Sequence, residues 1–204
     1  MYVPQHFALA TDDAVGLAAE IGVGHLVTSH DGGLDSTFVP FIVERRGDTL
    51  VARAHLAAAN PQRHAVAAGA TALLIVHGPD AYVSPGHYPS KREHGRVVPT
   101  WNYAVVHLHG TLRLVDDRDA LLSTVSDLTD RHEASTADPW KVTDAPDEFI
   151  DGQLKAIVGL ELLVSRVDGK AKLSQNRPEP DHDAVRTAFL AGDPRQREVG
   201  EMMR

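Results

Sequence analysis

The chain carries near its C-terminal end the stretch Gly169-Lys170-Ala171-Lys172-Leu173-Ser174-Gln175-Asn176-Arg177, which follows the strand-like run Ile157-Val158-Gly159-Leu160-Glu161-Leu162-Leu163-Val164. The first of these stretches brings ammonium groups, a hydroxyl, amides and a guanidinium into one turn and its exit. A buried core has no use for so many donors, because each unpaired one costs about 1–3 kcal/mol. These groups either face water, as a solvated turn after an edge strand, or converge on an acceptor-rich ligand such as a phosphate or a polar ring edge. The spacing alone leaves both interpretations open.

Composition and charge limit the functions open to this chain of 204 residues. Its hydrophobic fraction of 43% and charged fraction of 24% are typical of a globular protein with a sizeable core. The 20 Lys and Arg against 28 Asp and Glu give a net charge of −8, which argues against a broad DNA-binding face but allows a local basic patch. Cysteine is absent, which excludes disulfides, thiolate nucleophiles and Cys-ligated metals.

The sequence also predicts the compartment. It contains no run of about 18 apolar residues, so we expect no membrane helix. The opening residues Met1–Phe7 lack the basic and apolar regions of a signal peptide. We therefore expect a cytoplasmic protein with no membrane partner.

Short strand-like runs separated by turn residues recur along the chain. The predicted strands are residues 25–30, 37–43, 49–55, 70–77, 81–84, 101–115 and 157–164. The predicted helices are residues 14–21, 61–69, 119–132, 147–156, 181–190 and 194–203. Pro40 implies an edge or a bulge in the second strand. Strand-to-strand turns with only short helices favour a mainly β (α+β) fold, an antiparallel barrel of six or seven strands with peripheral helices, over an alternating βαβ sheet.

Two further segments could contact a ligand. The first is Pro99-Thr100-Trp101-Asn102-Tyr103, where a Trp between polar residues could stack on a planar ligand or could close one end of the barrel. The second runs from His55 to Asn60-Pro61, where a strand exit and a helix N-terminus could bind an anion. The alternative for this second segment is an ordinary strand-to-helix connection with a capping Asn.

The sequence lacks the motifs that would indicate a metal site, a common nucleotide-binding fold or a hydrolase. His107 and His109 lie two residues apart on one strand face, but no carboxylate stands at a helpful offset and no His-x-x-x-His occurs, so we predict no metal site. The Gly-rich patterns of Rossmann folds and P-loops, and the Gly-x-Ser-x-Gly of hydrolases, are also absent. No residue stands out as a catalytic group.

Six separated segments together resemble one known family. They are Met1–Phe7, His55–Gln62, Ala81–Pro85, Tyr88–Lys91, Val98–Tyr103 and Lys172–Arg177. In this order they resemble the PaiB-like family of FMN-binding negative transcriptional regulators, over residues 1 to about 190. The resemblance implies an FMN-binding split barrel, related to pyridoxamine-phosphate-oxidase-like proteins, and a homodimer with flavin sites at the subunit interface. We expect residues 1–178 to form the split-barrel domain and residues 179–204 a helical tail packed on it.

The resemblance also implies roles for individual residues. The flavin phosphate is expected near the strand exit with Arg53, His55 and Asn60. The isoalloxazine edge is expected near Ser84 to Lys91 and near Thr100-Trp101-Asn102. The segment with Lys172, Ser174, Gln175, Asn176 and Arg177 is expected to reach the site from the partner subunit. This chain departs from many relatives at Arg63-His64 and at Gly86, where a smaller residue implies a more open ring pocket.

Three functions remain open from the sequence. The first is an FMN-binding negative transcriptional regulator acting as a homodimer, with direct DNA contact left open because the chain is acidic and shows no helix-turn-helix. The second is a flavin-dependent oxidoreductase of a small molecule, with His87, Tyr88 and His94 as proton donors by position. The third is a heme or metabolite binder on the same barrel.

Overall fold

A computed structural model describes residues 1–203; Arg204, the last residue of the predicted tail, lies outside the described residues. The six strands of the described part are β1 (Val23–His30), β2 (Gly33–Arg46), β3 (Thr49–Ala57), β4 (Thr71–Val83), β5 (Thr100–Val115) and β6 (Ile157–Lys172). The helices are α1 (Thr11–Ile21), α2 (Arg63–Ala67), α3 (Ser90–Glu93), α4 (Arg118–Glu133), α5 (Asp147–Leu154), α6 (Glu179–Leu190) and α7 (Pro194–Met202). The strands form a closed barrel in the order β1-β2-β3-β6-β5-β4.

The described strand pairs are antiparallel, and tight turns set their register. Gly33 follows the turn between β1 and β2 with a φ of 138°, and Gly47 lies between β2 and β3 with a φ of 60°. Both values lie in the region that glycine adopts without steric cost. Pro40 pairs with Val23 at the last position of the β1–β2 ladder, and the β2–β3 ladder begins at the next residue. The proline therefore lies where β2 passes from one partner strand to the other.

Contacts divide the described chain into two compact units. Unit 1 comprises residues 1–17, 77–106 and those from 168 onward, and unit 2 comprises residues 18–76 and 107–167. The core of unit 1 joins Val185 and Phe189 of α6 to Tyr88 and to Leu173 after β6, all nearly inaccessible to solvent. In unit 2, buried side chains come from the strands and from α4. They include Leu26, Phe41, Val51, Leu56, Leu108, Leu121, Leu128 and Leu162.

The expectation of a mainly β antiparallel barrel of six or seven strands with peripheral helices is confirmed. Two predicted strands merge into β4, and β6 runs on to Lys172. Lys170 and Lys172 therefore lie on a strand, and the turn begins only after them. The predicted helix at Asn60-Pro61 starts later, at Arg63, and has only five residues. No described helix is both long enough and apolar enough to cross a membrane.

A buried carboxylate joins two arginines in unit 2. Glu161 on β6 is 5% exposed, and its oxygens accept hydrogen bonds from Arg113 and, at 2.7 Å, from Nη1 of Arg46. Burial alone would raise the pKa of Glu161, but the hydrogen bonds and charges of the two guanidinium groups outweigh burial and lower it. The pair of arginines therefore keeps this carboxylate ionised in the folded state.

We expect Glu161→Gln to lower the free energy of unfolding at neutral pH by about 1–3 kcal/mol, because charge-assisted hydrogen bonds are lost. Since the pKa of Glu161 is lower in the folded state, its contribution is complete above the unfolded pKa of about 4.3 and disappears as pH falls through the folded pKa. Urea unfolding of wild type and variant across this range measures the difference. The exposed Glu201→Gln is the control, and a difference that does not shrink in acid would contradict the assignment.

Candidate functional site

The donors of the C-terminal stretch form part of a connected polar surface in unit 1. The Lys172 ammonium donates to the Thr100 hydroxyl at 2.5 Å and to the Trp101 carbonyl at 2.6 Å. The Ser174 hydroxyl donates to Oδ1 of Asn102 at 3.0 Å. We call this surface the polar wall; it consists of Thr100, Trp101, Asn102, Lys172, Ser174 and Arg177. The structure thus brings together two segments that the sequence analysis had singled out separately.

Ser174 holds an unusual backbone conformation in this wall. Its φ is 67°, and it is the one non-glycine residue with positive φ among residues 1–203. Such a conformation is uncommon for a residue with a side chain and costs about 1–3 kcal/mol. Both Ser174 and its partner Asn102 are buried, at 3% and 0% exposure. Glycine would fit the backbone better, so the hydroxyl bonded to Asn102 is the feature that a serine adds here.

The amides of the turn have different surroundings. Oε1 of Gln175 accepts from the Leu173 N–H and its Nε2 donates to the Ala171 carbonyl, both at 2.7 Å. The Gln175 side chain therefore stabilises the turn itself. Asn176 is exposed. The Arg177 guanidinium lies 4.7 Å from the centroid of the Tyr88 ring.

The electrostatics of the wall favour an anion. Burial, and then the nearby charges of Lys170 and Arg177, lower the pKa of Lys172. Lys172 therefore lies close enough to two other cations for their charges to disfavour its own positive charge. Such a group of cations gains most from a bound anion, and phosphate oxygens match both Lys and Arg donors.

The loop from Ser84 to Lys91 is fixed at both ends. Ser84 Oγ accepts from the Gly86 N–H at 3.1 Å and caps a short 3-10 turn. The buried Asp181 of α6 accepts from the Ser90 N–H at 3.1 Å and from the Ser90 hydroxyl at 2.6 Å. Lys91, in contrast, is exposed. Asp181 was not predicted as a site residue, since 91 positions separate it from Ser90.

Tyr88 lies inside this loop with an unusual hydroxyl. The residue is 2% exposed, and its hydroxyl has no hydrogen-bond partner among the described residues. Burial raises the pKa of Tyr88, while the charge of Arg177 acts in the opposite direction. The phenol is therefore neutral at physiological pH.

An aromatic face accompanies the wall. Trp101 and Tyr82 are 47% and 48% exposed, and their rings meet edge to face at 6.1 Å. Arg195 of α7 lies 5.8 Å from the Trp101 ring and bonds Asp80 at 2.5 Å. An exposed indole held in this way can stack on a planar ligand. Arg195 was missed in the sequence because nothing in the local pattern of α7 links it to Trp101.

In unit 2, the predicted residue Arg53 is already engaged by protein groups. Its Nη2 lies 2.5 Å from Asp127 and 3.1 Å from Glu44, and Nη1 donates to Thr124 at 3.3 Å. Only Nε has no partner among the described residues. Arg53 is therefore held by protein groups, and this Nε is buried.

His55 and Asn60 complete the predicted set in unit 2. His55 is half-buried, burial lowers its pKa, and its buried Nδ1 has no partner among residues 1–203. Oδ1 of Asn60 accepts from the Gln62 N–H and Nδ2 donates to the Thr37 hydroxyl, both at 2.9 Å. Asn60 therefore orders the strand exit, while burial favours the neutral form of His55 and leaves its Nδ1 unpaired among the described residues.

The closed six-stranded antiparallel barrel with peripheral helices is a split-barrel fold, which the chain shares with solved structures. The family model described as "Putative FMN-binding domain" matches residues 1–166. The chain belongs to this family of PaiB-like FMN-binding proteins, and its cofactor is FMN.

The chain is similar in sequence to curated relatives and in fold to solved structures. The chain is 28% identical to Protease synthase and sporulation protein PAI 2 of Bacillus subtilis, over 100% of this chain and 96% of that protein. It is 31% identical to AN0679 of Emericella nidulans, over 76% of this chain and 75% of that protein. The FAD and heme binding protein from Mycobacterium smegmatis shares the fold with a TM-score of 0.58 at 22% identity, covering 82% of this chain and 74% of that one. The flavocytochrome Anf3 from Azotobacter vinelandii shares the fold with a TM-score of 0.61 at 16% identity, covering 83% of this chain and 72% of that one.

Proposed function

We propose that this protein is a homodimeric FMN-binding regulator of the PaiB type, and that the polar wall holds the acceptor-rich parts of its flavin. The observation that carries the proposal is the half-buried Lys172 ammonium, which is held by the Thr100 hydroxyl and the Trp101 carbonyl and lies near the cations Lys170 and Arg177. Membership of the FMN-binding family and the full-length similarity to PAI 2 of Bacillus subtilis support it.

The residues of the wall fit FMN chemically. The cations suit its phosphate, and the exposed Trp101 suits its flat face. The buried pair of Ser174 and Asn102 holds the turn that carries these groups. When bound, FMN supplies the redox chemistry, and the protein supplies orientation and electrostatics. The contacts of Arg53, His55, Asn60, Ser84, Lys91, Gln175 and Asn176 with flavin stay predictions.

The homodimer is supported by an exposed apolar face on β2. Leu34 and Phe38, four residues apart on the same face of the strand, are 74% and 59% exposed. The Phe38 ring also packs edge to face on His25 at 5.3 Å. Large apolar side chains grouped on an exposed strand typically mark an interface. We propose that a second copy of the chain covers this face and completes the flavin site with its own polar wall, which includes its Lys172 to Arg177 segment.

Replacing Leu34 and Phe38 together by Asp is expected to convert the dimer to a monomer and to reduce the bound flavin at least tenfold, because two charges would be buried in the interface. Sedimentation equilibrium and flavin absorbance measure the two effects. The paired control Thr136→Asp and Gln153→Asp adds the same charge at exposed positions. A wild-type protein that sediments as a monomer with flavin bound would contradict the shared site.

We propose that the regulatory output does not depend on a broad DNA-contacting face. The net charge of −8 opposes one, and the cations of the wall are assigned to flavin. An electrophoretic shift with the purified holoprotein on its own promoter region tests this point. A shift that persists in the Lys172→Ala and Arg177→Ala double variant would assign DNA contact to another surface and overturn the proposal.

A flavin-dependent oxidoreductase is the second candidate, and the buried Tyr88 hydroxyl favours it. A neutral phenol beside the Arg177 guanidinium is the kind of group that donates a proton to a substrate in general acid catalysis. Anaerobic mixing with NADPH, followed at the flavin absorbance, tests this function. Bleaching that Tyr88→Phe slows would support it, and a flavin that NADPH leaves oxidised would count against it. A Soret band in the purified protein would instead favour the heme alternative.

A further inference from the structure

Unit 2 contains a cavity that none of the predicted flavin residues lines. Its volume is about 390 Å³, within the range of small-molecule sites. It opens where β5 ends, α4 begins, α5 ends and β6 begins. The apolar part of its lining consists of Val115, Leu121, Leu154, Ile157 and Val158. Leu121 and Leu154 are buried, and the other three are half-buried, so the floor is continuous with the core and its mouth faces solvent.

Four charged residues form the polar part of the lining, and two of them are already paired. The Arg118 guanidinium donates to Asp151 from Nε at 2.9 Å and from Nη2 at 2.5 Å. Its Nη1 also bonds Asp119 at 3.0 Å. These bonds pair Arg118 with Asp151 and Asp119 at the mouth. They offer little to a charged ligand.

Asp116 and Lys155 differ from that pair. Both are exposed, both line the cavity, and neither side chain forms an ion pair or hydrogen bond with another residue in the part of the chain that is described. They also do not pair with each other, although each lies at the same mouth. The cavity therefore presents one open anion and one open cation above an apolar floor.

We propose that this cavity binds an apolar α-amino acid. The ammonium of the ligand would bond the Asp116 carboxylate, its carboxylate would bond the Lys155 ammonium, and its side chain would occupy the apolar floor. A simple apolar molecule would contact the floor alone, and a simple acid or amine would contact the floor and one charge. A zwitterion with an apolar body contacts all three parts of the site. This site is independent of the flavin assignment.

The test uses L-phenylalanine and two analogues that each lack one charge, with the holoprotein and isothermal titration calorimetry. L-Phenylalaninamide keeps the ammonium and removes the carboxylate; 3-phenylpropanoate keeps the carboxylate and removes the ammonium. We expect Lys155→Ala to weaken L-phenylalanine at least threefold and to leave the amide unchanged. Asp116→Asn should weaken L-phenylalanine by a similar factor and leave 3-phenylpropanoate unchanged.

Two further variants complete the design. Val158→Phe should abolish binding of all three compounds because the added ring fills the floor, and Lys141→Ala, an exposed cation away from the cavity, should change none. Circular dichroism checks that each variant is folded. The proposal is overturned if L-phenylalanine and L-leucine show no saturable binding, or if the two charge variants weaken every compound equally. Binding that Val158→Phe leaves intact would also overturn it.

Discussion

Replacing Lys172 and Arg177 together by alanine is expected to weaken FMN binding about 100-fold, while the chain stays folded. Each cation can form charge-assisted hydrogen bonds worth about 1.5–3 kcal/mol, and about 1.4 kcal/mol corresponds to tenfold in affinity. Lys172 is half-buried, and burial already lowers its pKa, so a bound anion gains from a partly desolvated cation. Without the Lys172 ammonium, the Thr100 hydroxyl and the Trp101 carbonyl each lose a hydrogen-bond donor.

Quenching of FMN fluorescence by the apoprotein measures this affinity. The control pair Lys141→Ala and Arg197→Ala removes the same charge from exposed positions and should change the dissociation constant less than threefold. Lys172→Arg separates charge from shape, because it keeps the cation but changes the donor geometry. An unchanged FMN affinity in the double variant, with normal circular dichroism, would show that the polar wall does not bind FMN.

Phe189→Ala has the largest expected effect on stability, about 3–5 kcal/mol. Phe189 is 0% exposed in α6 and belongs to the core that contains Tyr88, Leu173 and Met203. The His87 ring also meets it edge to face at 6.1 Å. A cavity at this position should loosen the residues beside the polar wall, so we also expect weaker flavin binding.

Thermal and urea unfolding measure the stability of this variant, and its neighbour supplies a matched control. Leu190 follows Phe189 in the same helix but is 37% exposed, so Leu190→Ala should cost much less. The expectation that residues 179–204 form a tail packed on the barrel domain is tested at the same time. If Phe189→Ala melts α6 and α7 alone and leaves the rest unfolding at the wild-type temperature, the tail is a separate unit.

The sequence pattern predicted the barrel because its signals are local. Apolar runs, turn glycines and the alternation in β5 depend on neighbouring residues, and these predictions are confirmed. The predicted end of the last strand, at Val164, was wrong, because β6 runs on to Lys172. Lys170 and Lys172 resemble turn residues by composition, but the structure places them on the strand. The half-buried Lys172 bonds Trp101 and Thr100, which lie 71 and 72 residues earlier, so no local pattern could indicate these partners.

The other parts of the site depend on contacts between distant residues. The bond between Ser90 and Asp181 spans 91 positions, and that between Arg53 and Asp127 spans 74. No periodicity encodes such pairs, so the sequence could name Arg53 as a donor but could not indicate that two carboxylates already hold it. The left-handed backbone of Ser174 could not be predicted either, because the bond that explains a serine at this position is made to the distant Asn102.

The most direct test is the flavin content of the purified protein. Mass spectrometry and absorbance, with reconstitution by FMN if the protein is purified colourless, give the number of flavins per chain. We expect one FMN per chain in the wild type and loss of that flavin in the Lys172→Ala and Arg177→Ala double variant. A protein that takes up no FMN, or that carries heme in its place, would contradict the proposed function.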